Sequence, residues 1–146
     1  MRPAKASPSW PTSSPTKGRY VIEALSKISL KEKFASFDDL WNPKLLALVD
    51  DFAIKIVKIE GEFVWHHHAE ADEVFFVIDG GITMKYRLDD GEHEVTFGPG
   101  ELLRVPHGME HMPVAQPGTE LVLFERADLV NTGNIHSDRT ATPQHI

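Results

Sequence analysis

Turn signals recur at short intervals along the second half of this chain and leave room only for short elements between them. Glycine and proline supply the backbone angles of tight turns and interrupt helices. The intervening segments alternate apolar with polar residues or are rich in β-branched and aromatic types, which favours strands. The pattern predicts an all-β sandwich or barrel with turns at Asp79-Gly80-Gly81, Asp89-Asp90-Gly91, Gly98-Pro99-Gly100, Pro106-His107-Gly108 and Pro117-Gly118.

The strands themselves follow from the same reading. We interpret Asp79-Gly80-Gly81 as a hairpin turn between two strands. Upstream, residues 21–37 suit an edge strand followed by a helical turn, and Trp41-Asn42-Pro43 marks a break. The predicted strands cover residues 52–59, 73–78, 82–88, 93–97, 102–105, 112–115 and 121–125.

Length and composition indicate one domain with two extensions. A chain of 146 residues supports a single domain with a real core. Residues 1–18 are rich in proline and serine and contain no acidic residue, which predicts a disordered N-terminal extension. The β domain is predicted to span residues 19–130. The polar residues 131–146 are expected to form a C-terminal tail that crosses the surface.

Charge and composition exclude several classes of function. The net charge of −7 argues against a general nucleic-acid binder or a binder of anionic membranes. No apolar run approaches the roughly 20 residues that span a bilayer. Without cysteine there is no disulfide and no thiolate ligand or nucleophile. We expect a cytoplasmic protein; the basic, acid-free residues 1–18 are only faintly similar to an organelle-targeting segment, whose amphipathic helix the prolines oppose.

Four side chains form the strongest chemical signal. In an extended segment His66 and His68 point to the same side while His67 points away. A turn at residues 69–72 would return Glu73 to the same place, and His111 follows a turn further along the chain. Imidazoles and a carboxylate aimed at one point suit a divalent transition metal. The opposing interpretation is a solvated histidine run with a structural His111.

One predicted strand is apolar on both faces. If Glu73, Phe75 and Val77 point inward, then the outward face of residues 74, 76 and 78 needs cover. The N-terminal segment, a second sheet of the same chain or a second subunit would each provide it. We favour a homodimer.

Two sequence motifs resemble those of the cupin superfamily, specifically small single-domain cupins often labelled mannose-6-phosphate isomerase-like. The first motif is matched by His66, His68, Glu73 and Gly80, with Gly61 one residue closer to His66 than is usual. The second is matched by Gly100, Pro106, Gly108 and His111, while Ala115 replaces its final asparagine. The resemblance covers residues 50–126 and implies a cupin-type antiparallel β-barrel, or jelly roll.

The resemblance also implies what the site holds and does. His66, His68, Glu73 and His111 would bind iron, manganese, nickel, cobalt or zinc and leave positions for water, dioxygen or a small-molecule substrate. The leading expectation is a dioxygenase that cleaves carbon–carbon bonds. The alternatives are a non-oxidative isomerase, lyase or decarboxylase and a non-catalytic ligand-binding barrel, because fold alone does not determine function.

Three further polar residues are candidates near such a site. Tyr86 shares a face with Ile82 and Met84, so its hydroxyl would serve catalysis as a donor if that face lines the cavity. The alternative for Tyr86 is a ring packed in the core with its hydroxyl at the rim. Arg104 would pair with a substrate carboxylate or lie solvated outside, and His107 would gate the site or simply be exposed.

Overall fold

The computed structural model describes residues 24–146, and within them the chain forms one short helix and eight strands. The strands pair in antiparallel fashion apart from a short parallel contact between the first and the last. The predicted all-β jelly roll is therefore confirmed. The elements are α1 (Leu30–Ala35), β1 (Lys44–Val49), β2 (Phe52–Glu62), β3 (Glu73–Asp79), β4 (Ile82–Leu88), β5 (Gly91–Phe97), β6 (Leu102–Val105), β7 (His111–Arg126) and β8 (Gln144–His145).

Most strands lie where the sequence predicts them, with three differences. The predicted strands 112–115 and 121–125 are parts of one strand, β7. Neither β1 nor β8 was predicted. Residues 24–29 contain no strand and lead into α1. The predicted disorder of residues 1–18 lies outside the described residues.

Strands β2 and β7 form a long antiparallel ribbon that organises the domain. Their pairing runs from Phe52 opposite Arg126 to Glu62 opposite Val114. Its register shifts between Ile59 and Gly61, where residues 116–118 of β7 form an insertion. Gly61 has a φ of 73° there, a left-handed conformation that favours glycine. Such irregularities bend a strand and increase its twist.

The resulting bend brings the two ends of β7 to the same place. His111 and Glu125 would lie roughly 45 Å apart if the strand were straight, at about 3.3 Å per residue. Glu73 nevertheless contacts both ends: it pairs with Glu125 in the β3–β7 ladder, and its Oε2 lies 3.8 Å from Nε2 of His111. The ribbon therefore curls around the interior, so that its ends face one another across it.

The predicted hairpin at residues 79–81 is wrong, because the turn joins strands that do not pair with each other. Strand β3 pairs with β6 and with the second half of β7, whereas β4 pairs with β5 and with the first half of β7. Gly80, at a φ of 80°, packs so closely against Thr119 that a β-carbon would collide with it. The turn thus crosses the bend of β7 and moves the chain from one part of the sheet to another.

The main core fills the interior of this curled sheet. Its buried residues come from the inner faces of strands β2, β3, β4, β6 and β7, with Trp41 and Phe97 completing it. The inner face of β2 includes Lys55 beside Val57 and Ile59, and each of these side chains is at most 3% exposed. A lysine therefore lies on a face that is otherwise apolar.

Helix α1 covers part of the outer face. Ser29 caps its first turn by accepting a hydrogen bond from the backbone N–H of Glu32, and Phe34 packs with Leu46 and Ile56 in a second core. Ile78 and Val122 pack against the same cluster. The N-terminal part of the described chain thus supplies some of the cover that the sequence called for. No helix among residues 24–146 is long and apolar enough to cross a membrane.

Candidate metal centre

The segment that carries the first two histidines is held at the start of β7. His66 and His111 exchange backbone hydrogen bonds of 3.1 and 2.9 Å and form an isolated antiparallel bridge. Two residues on, the N–H of Gly108 donates to the carbonyl oxygen of His68 at 2.7 Å. These contacts keep the segment extended without a full strand, and so place the side chains of His66 and His68 on the same side.

The structure brings the four candidate ligands together in the interior. His66, His68, Glu73 and His111 are all buried, and one possible ligand atom from each lies within 4.8 Å of the others. Metal–nitrogen and metal–oxygen bonds of about 2.0–2.2 Å put ligand atoms roughly 3–4 Å apart. His67 is half-exposed and turned away from them, with Nδ1 3.7 Å from a Glu110 carboxylate oxygen. The group matches the one predicted from alternation along the chain.

Backbone carbonyls orient two of the imidazoles. Nδ1 of His66 lies 2.8 Å from the carbonyl oxygen of Val64, and Nδ1 of His111 lies 2.8 Å from that of Met109. A carbonyl can only accept, so Nδ1 carries the proton in both rings. In the neutral imidazole the lone pair is then on Nε2, which is the atom a metal would bind.

Several buried polar atoms of the cluster lack hydrogen bonds to the described residues. They are both ring nitrogens of His68, Nε2 of His111 and Oε2 of Glu73. Nε2 of His68 lies 3.0 Å from Oε2 of Glu73, but the two atoms are not aligned as donor and acceptor. Unpaired buried polar atoms are costly, and a cation between them would satisfy the lone pairs. The residues present therefore fit a divalent metal ion.

Burial keeps the imidazoles neutral. It lowers the pKa of His66 to about 3, with a further contribution from nearby His111, and lowers that of His111 to about 4. Burial is also the main cause that lowers the pKa of His68. Neutral imidazole is the form that binds metals, so these three side chains need not lose a proton first.

Two buried groups stand behind Glu73. Glu125, on β7, lies opposite Glu73, and its buried Oε2 has no hydrogen bond to the described residues. Nζ of Lys55 donates to Oε1 of Glu125 at 2.8 Å. Burial raises the pKa of Glu73 to about 7, an increase that Glu125 and Lys55 limit. Burial and the neighbouring Glu73 raise the pKa of Glu125 well above its usual value.

The C-terminal segment packs directly against the histidine run. The side-chain oxygen of Asn134 accepts from the N–H of His67 at 2.8 Å, and the N–H of Asn134 donates back to the carbonyl of His67 at 3.1 Å. Thr132 is fully buried, and Gly133 is so close to His66 and His67 that a β-carbon would collide. This part of residues 131–146 therefore forms a wall of the site, whereas its polar sequence predicts a tail that crosses the surface.

The loop before Glu73 is fixed to the loop before His111. The carboxylate of Asp72 accepts from the backbone N–H and from Nδ1 of His107, at 2.9 and 3.0 Å, and from Arg104 at 3.1 Å. Both partner side chains are exposed. These hydrogen bonds, chiefly the backbone one, lower the pKa of Asp72. Arg104 and His107 thus connect two loops on the outside. Arg104 also lines the cavity that reaches His111, so its pairing with a substrate carboxylate stays a prediction, whereas gating by His107 has no support.

Two cavities adjoin the cluster. The inner cavity has an almost wholly apolar lining and reaches His66 and Glu73; its walls include Trp41, Phe63 and Phe75. The outer cavity reaches His111 and is lined by Met84, Tyr86, Val95, Leu103 and Met109 among others. Tyr86 lies opposite His111 in the β4–β7 ladder and stacks on His93.

Sequence reasoning missed the residues behind Glu73 because their faces were ambiguous. Both faces of residues 53–59 are mainly apolar, so alternation did not reveal which way Lys55 points. Glu125 continues the inward series of Leu121 and Leu123, and this periodicity was the available signal. Asn134 makes its contacts from an irregular loop, where no periodicity exists to indicate them.

Comparison with known proteins identifies the family. Residues 54–125 match the family model described as the cupin domain. The cupin-2 domain-containing protein of Shewanella frigidimarina is 38% identical, the alignment covers 68% of this chain and 93% of that one, and the TM-score is 0.64. The chain belongs to the cupin superfamily.

Two further proteins resemble the chain over part of its length. The uncharacterized protein YdbB of Bacillus subtilis is 32% identical over 82 residues, which are 56% of this chain and 64% of that relative. Hydroquinone 1,2-dioxygenase of Sphingomonas sp. TTNP3 is 20% identical and superposes with a TM-score of 0.63, covering 77% of this cupin and 37% of the dioxygenase chain. At that identity the likeness is one of fold.

We expect the metal content of alanine variants to distinguish the ligand His68 from its neighbour His67. His68→Ala and Glu73→Ala remove ligands and should reduce the bound metal from about one ion per chain to near zero, without unfolding the protein. His67→Ala is the matched control, because its backbone contacts with Asn134 remain and its ring lies outside the cluster. Elemental analysis of protein purified without chelator measures the difference. Metal loss in the His67 variant would contradict the arrangement.

The affinity of the ligand cluster for a divalent metal should fall as the pH falls through about 7. Below the Glu73 pKa of about 7, metal must displace a proton from that carboxyl, so the apparent Kd should rise by up to about tenfold per pH unit. The imidazoles do not compete in this range, because their pKa values are lowered. Calorimetric titration with Co²⁺ in buffers of different ionisation enthalpy counts the protons. Release of two or more protons per ion near neutral pH would contradict this account.

Proposed function

We propose that this cupin is a metal-dependent enzyme that acts on a small, largely apolar organic molecule, and that its chemistry is oxidative carbon–carbon cleavage by a dioxygenase. The observation that carries the proposal is the cluster of four buried donors, three of which hold unpaired polar atoms, beside two cavities. In this assignment His66, His68, Glu73 and His111 are the metal ligands. The ion is divalent.

The donor set favours an oxygen-containing substrate. Three neutral imidazoles and one carboxylate leave a divalent ion with a net positive charge. Such a centre attracts an anionic or enolisable oxygen, as in a phenol or a 1,3-diketone. An iron ion in this site would supply adjacent positions for substrate and dioxygen, which is what a dioxygenase requires.

The outer cavity is the proposed substrate site. Its wall is mainly aliphatic and thioether, which suits an aromatic or aliphatic ring, and Arg104 adds a cationic side chain that would pair with an acidic group of the substrate. The half-buried Tyr86 adds a hydroxyl group in the neighbourhood of His111. Its role would be to donate a hydrogen bond or a proton to a substrate oxygen. The shared fold with hydroquinone 1,2-dioxygenase does not carry this assignment, which depends on the site.

We expect the iron-loaded protein to consume dioxygen with one class of substrate. After anaerobic loading with Fe²⁺, substituted catechols, hydroquinones and 1,3-diketones are screened with an oxygen electrode. A dioxygenase incorporates both oxygen atoms, so uptake should equal substrate loss mole for mole. Tyr86→Phe should lower turnover by about 10²-fold with unchanged iron content, the lower end for a lost proton donor.

The control is a variant that lacks a metal ligand, and the contrary results are distinguished by the metal with which the protein is loaded. His68→Ala, loaded in the same way, should show no uptake. Conversion without oxygen uptake, by a protein loaded with Zn²⁺ or Mn²⁺, would replace the dioxygenase with an isomerase, lyase or decarboxylase. Ligand binding without conversion under any metal would leave a binding barrel.

We also propose that the protein is a homodimer that associates through its outer apolar patch, defined as Phe52, Phe76, Leu102 and Phe124. These side chains lie on the four adjacent strands β2, β3, β6 and β7, beyond the area that α1 covers. Phe52 and Phe124 stack with ring centroids 5.4 Å apart and are 41% and 38% exposed, and Leu102 is 62% exposed. Contiguous exposed apolar surface is typical of interfaces.

A charge in this patch should produce monomers. Phe124→Lys introduces a charge that burial in a dimer would leave unpaired, so the dimer should dissociate. Light scattering coupled to size-exclusion chromatography measures the mass. Leu88→Lys, on an exposed residue of β4 outside the patch, should remain dimeric. A monomeric wild-type protein at high concentration would contradict the proposal.

A further inference from the structure

A buried charged pair lies behind Glu73 and supplies none of the ligand atoms. Lys55 and Glu125 are each 2% exposed, and the 2.8 Å hydrogen bond between them joins β2 to β7. Glu125, on β7, lies directly opposite Glu73, which belongs to the neighbouring strand β3. A line of charged groups thus crosses three adjacent strands and ends at the ligand cluster.

Stability alone is a weak reason to bury these charges. Burying an ion pair often costs more free energy than the attraction returns, and apolar side chains of similar size can replace such pairs without loss of stability. The inner-face neighbours Ala53, Val57 and Leu123 are apolar and buried, so an apolar pair would extend the existing core. Some property other than stability is therefore needed to account for Lys55 and Glu125.

We propose that Lys55 and Glu125 are positioning residues that hold the Glu73 carboxylate in the orientation in which Oε2 faces the metal. This inference rests on the proposed metal site. A glutamate side chain has several freely rotating bonds, and a ligand carboxylate is usually oriented by a hydrogen-bond partner beyond it. Glu125 fills that place here as the cross-strand neighbour of Glu73, and Lys55 anchors Glu125 through Oε1.

Lys55 also brings a fixed positive charge to the two carboxyl groups. Its Nζ lies 2.8 Å from Oε1 of Glu125, which faces Glu73 across the β3–β7 ladder. Two carboxyl groups side by side in an apolar interior would otherwise repel each other whenever both were ionised. The ammonium group thus allows Glu73 and Glu125 to stay together in the ligand geometry before a metal arrives.

Apolar replacement of the pair separates positioning from stability. Two double variants are made, Lys55→Met with Glu125→Leu and Lys55→Leu with Glu125→Met, so that a poor fit of one can be recognised. Glu125→Gln is the conservative variant, since its amide can donate to Glu73 and accept from Lys55. The control replaces Lys44 and Asp39, whose 2.8 Å ion pair lies on the outer side of the sheet, by Met and Leu.

The readouts are the Co²⁺ dissociation constant, the visible Co²⁺ absorption spectrum and the thermal midpoint of the metal-free protein. We expect both apolar pairs to bind Co²⁺ about 10–100-fold more weakly, the usual effect of losing a partner of a ligand, and with an altered spectrum. Their metal-free thermal midpoints should equal or exceed that of the wild type. Glu125→Gln should recover most of the affinity, and the control pair should change nothing.

Three results would overturn the inference. Wild-type affinity and spectrum in a folded apolar pair would show that Glu73 needs no such support. Weaker binding with an unchanged spectrum and a lower thermal midpoint in both pairs would assign the charges a structural role. A wild-type protein that binds no Co²⁺ would overturn the metal site together with the positioning role, whereas the first two results leave the metal site intact.

Discussion

The curl of the β2–β7 ribbon is the constraint on which the rest of the structure depends. The irregularity between Ile59 and Gly61 accompanies a bend in β7, and the bend brings Nε2 of His111 within 3.8 Å of Oε2 of Glu73. With it, one end contributes an imidazole and the other a supporting carboxyl group to the same cluster. The interior of the curl is apolar, so every polar group brought there must find a partner. This requirement applies to the candidate ligand cluster, where a divalent cation would meet it, and to the Lys55–Glu125 pair, which meets it in part through its own hydrogen bond.

The sequence predicted the fold class because turn chemistry is local. Glycine and proline at residues 79–118 act through their own backbone angles, and the strands between them followed with small errors. The connection between strands is not local. A turn of Asp79-Gly80-Gly81 is compatible with a hairpin, but β3 and β4 bind different halves of β7. Strand β1 was missed because Leu45 to Val49 is a continuous apolar run without alternation, and the two-residue turn Asp50-Asp51 that pairs it with β2 was not recognised.

The candidate ligands were predictable because alternation along the chain is local, whereas the placement of Lys55 and Glu125 depends on strand pairing. His66 and His68 depend on alternation across three residues, and any extended backbone gives them a common side. Lys55 and Glu125 are 70 positions apart and meet only because β2 and β7 are in register. Alternation along β2 did not reveal which way Lys55 points, and the inward series that contains Glu125 did not indicate what it meets. The pairing of β2 with β7 brings the two together, which is where tertiary structure added information about the site.

The energetics of the cluster connect its position to its chemistry. The unpaired atoms of His68, Glu73 and His111 represent a cost that grows with each group left without a partner, about 1–3 kcal/mol for an unsatisfied group. Oxygen atoms of Val64 and Met109 accept from the rings of His66 and His111, and that of Asn134 accepts from the backbone of His67, so these groups are held against relaxation that would relieve that cost. A site that is held open in this way is preorganised: ordering of the ligands is completed during folding rather than during binding. A divalent cation would then gain the full benefit of the lone pairs, and the apolar walls would strengthen its attraction for a substrate oxygen by excluding water. The rigid backbone and the unpaired donors are thus two parts of one arrangement, in which the fold holds polar atoms in place for a ligand that it does not itself supply.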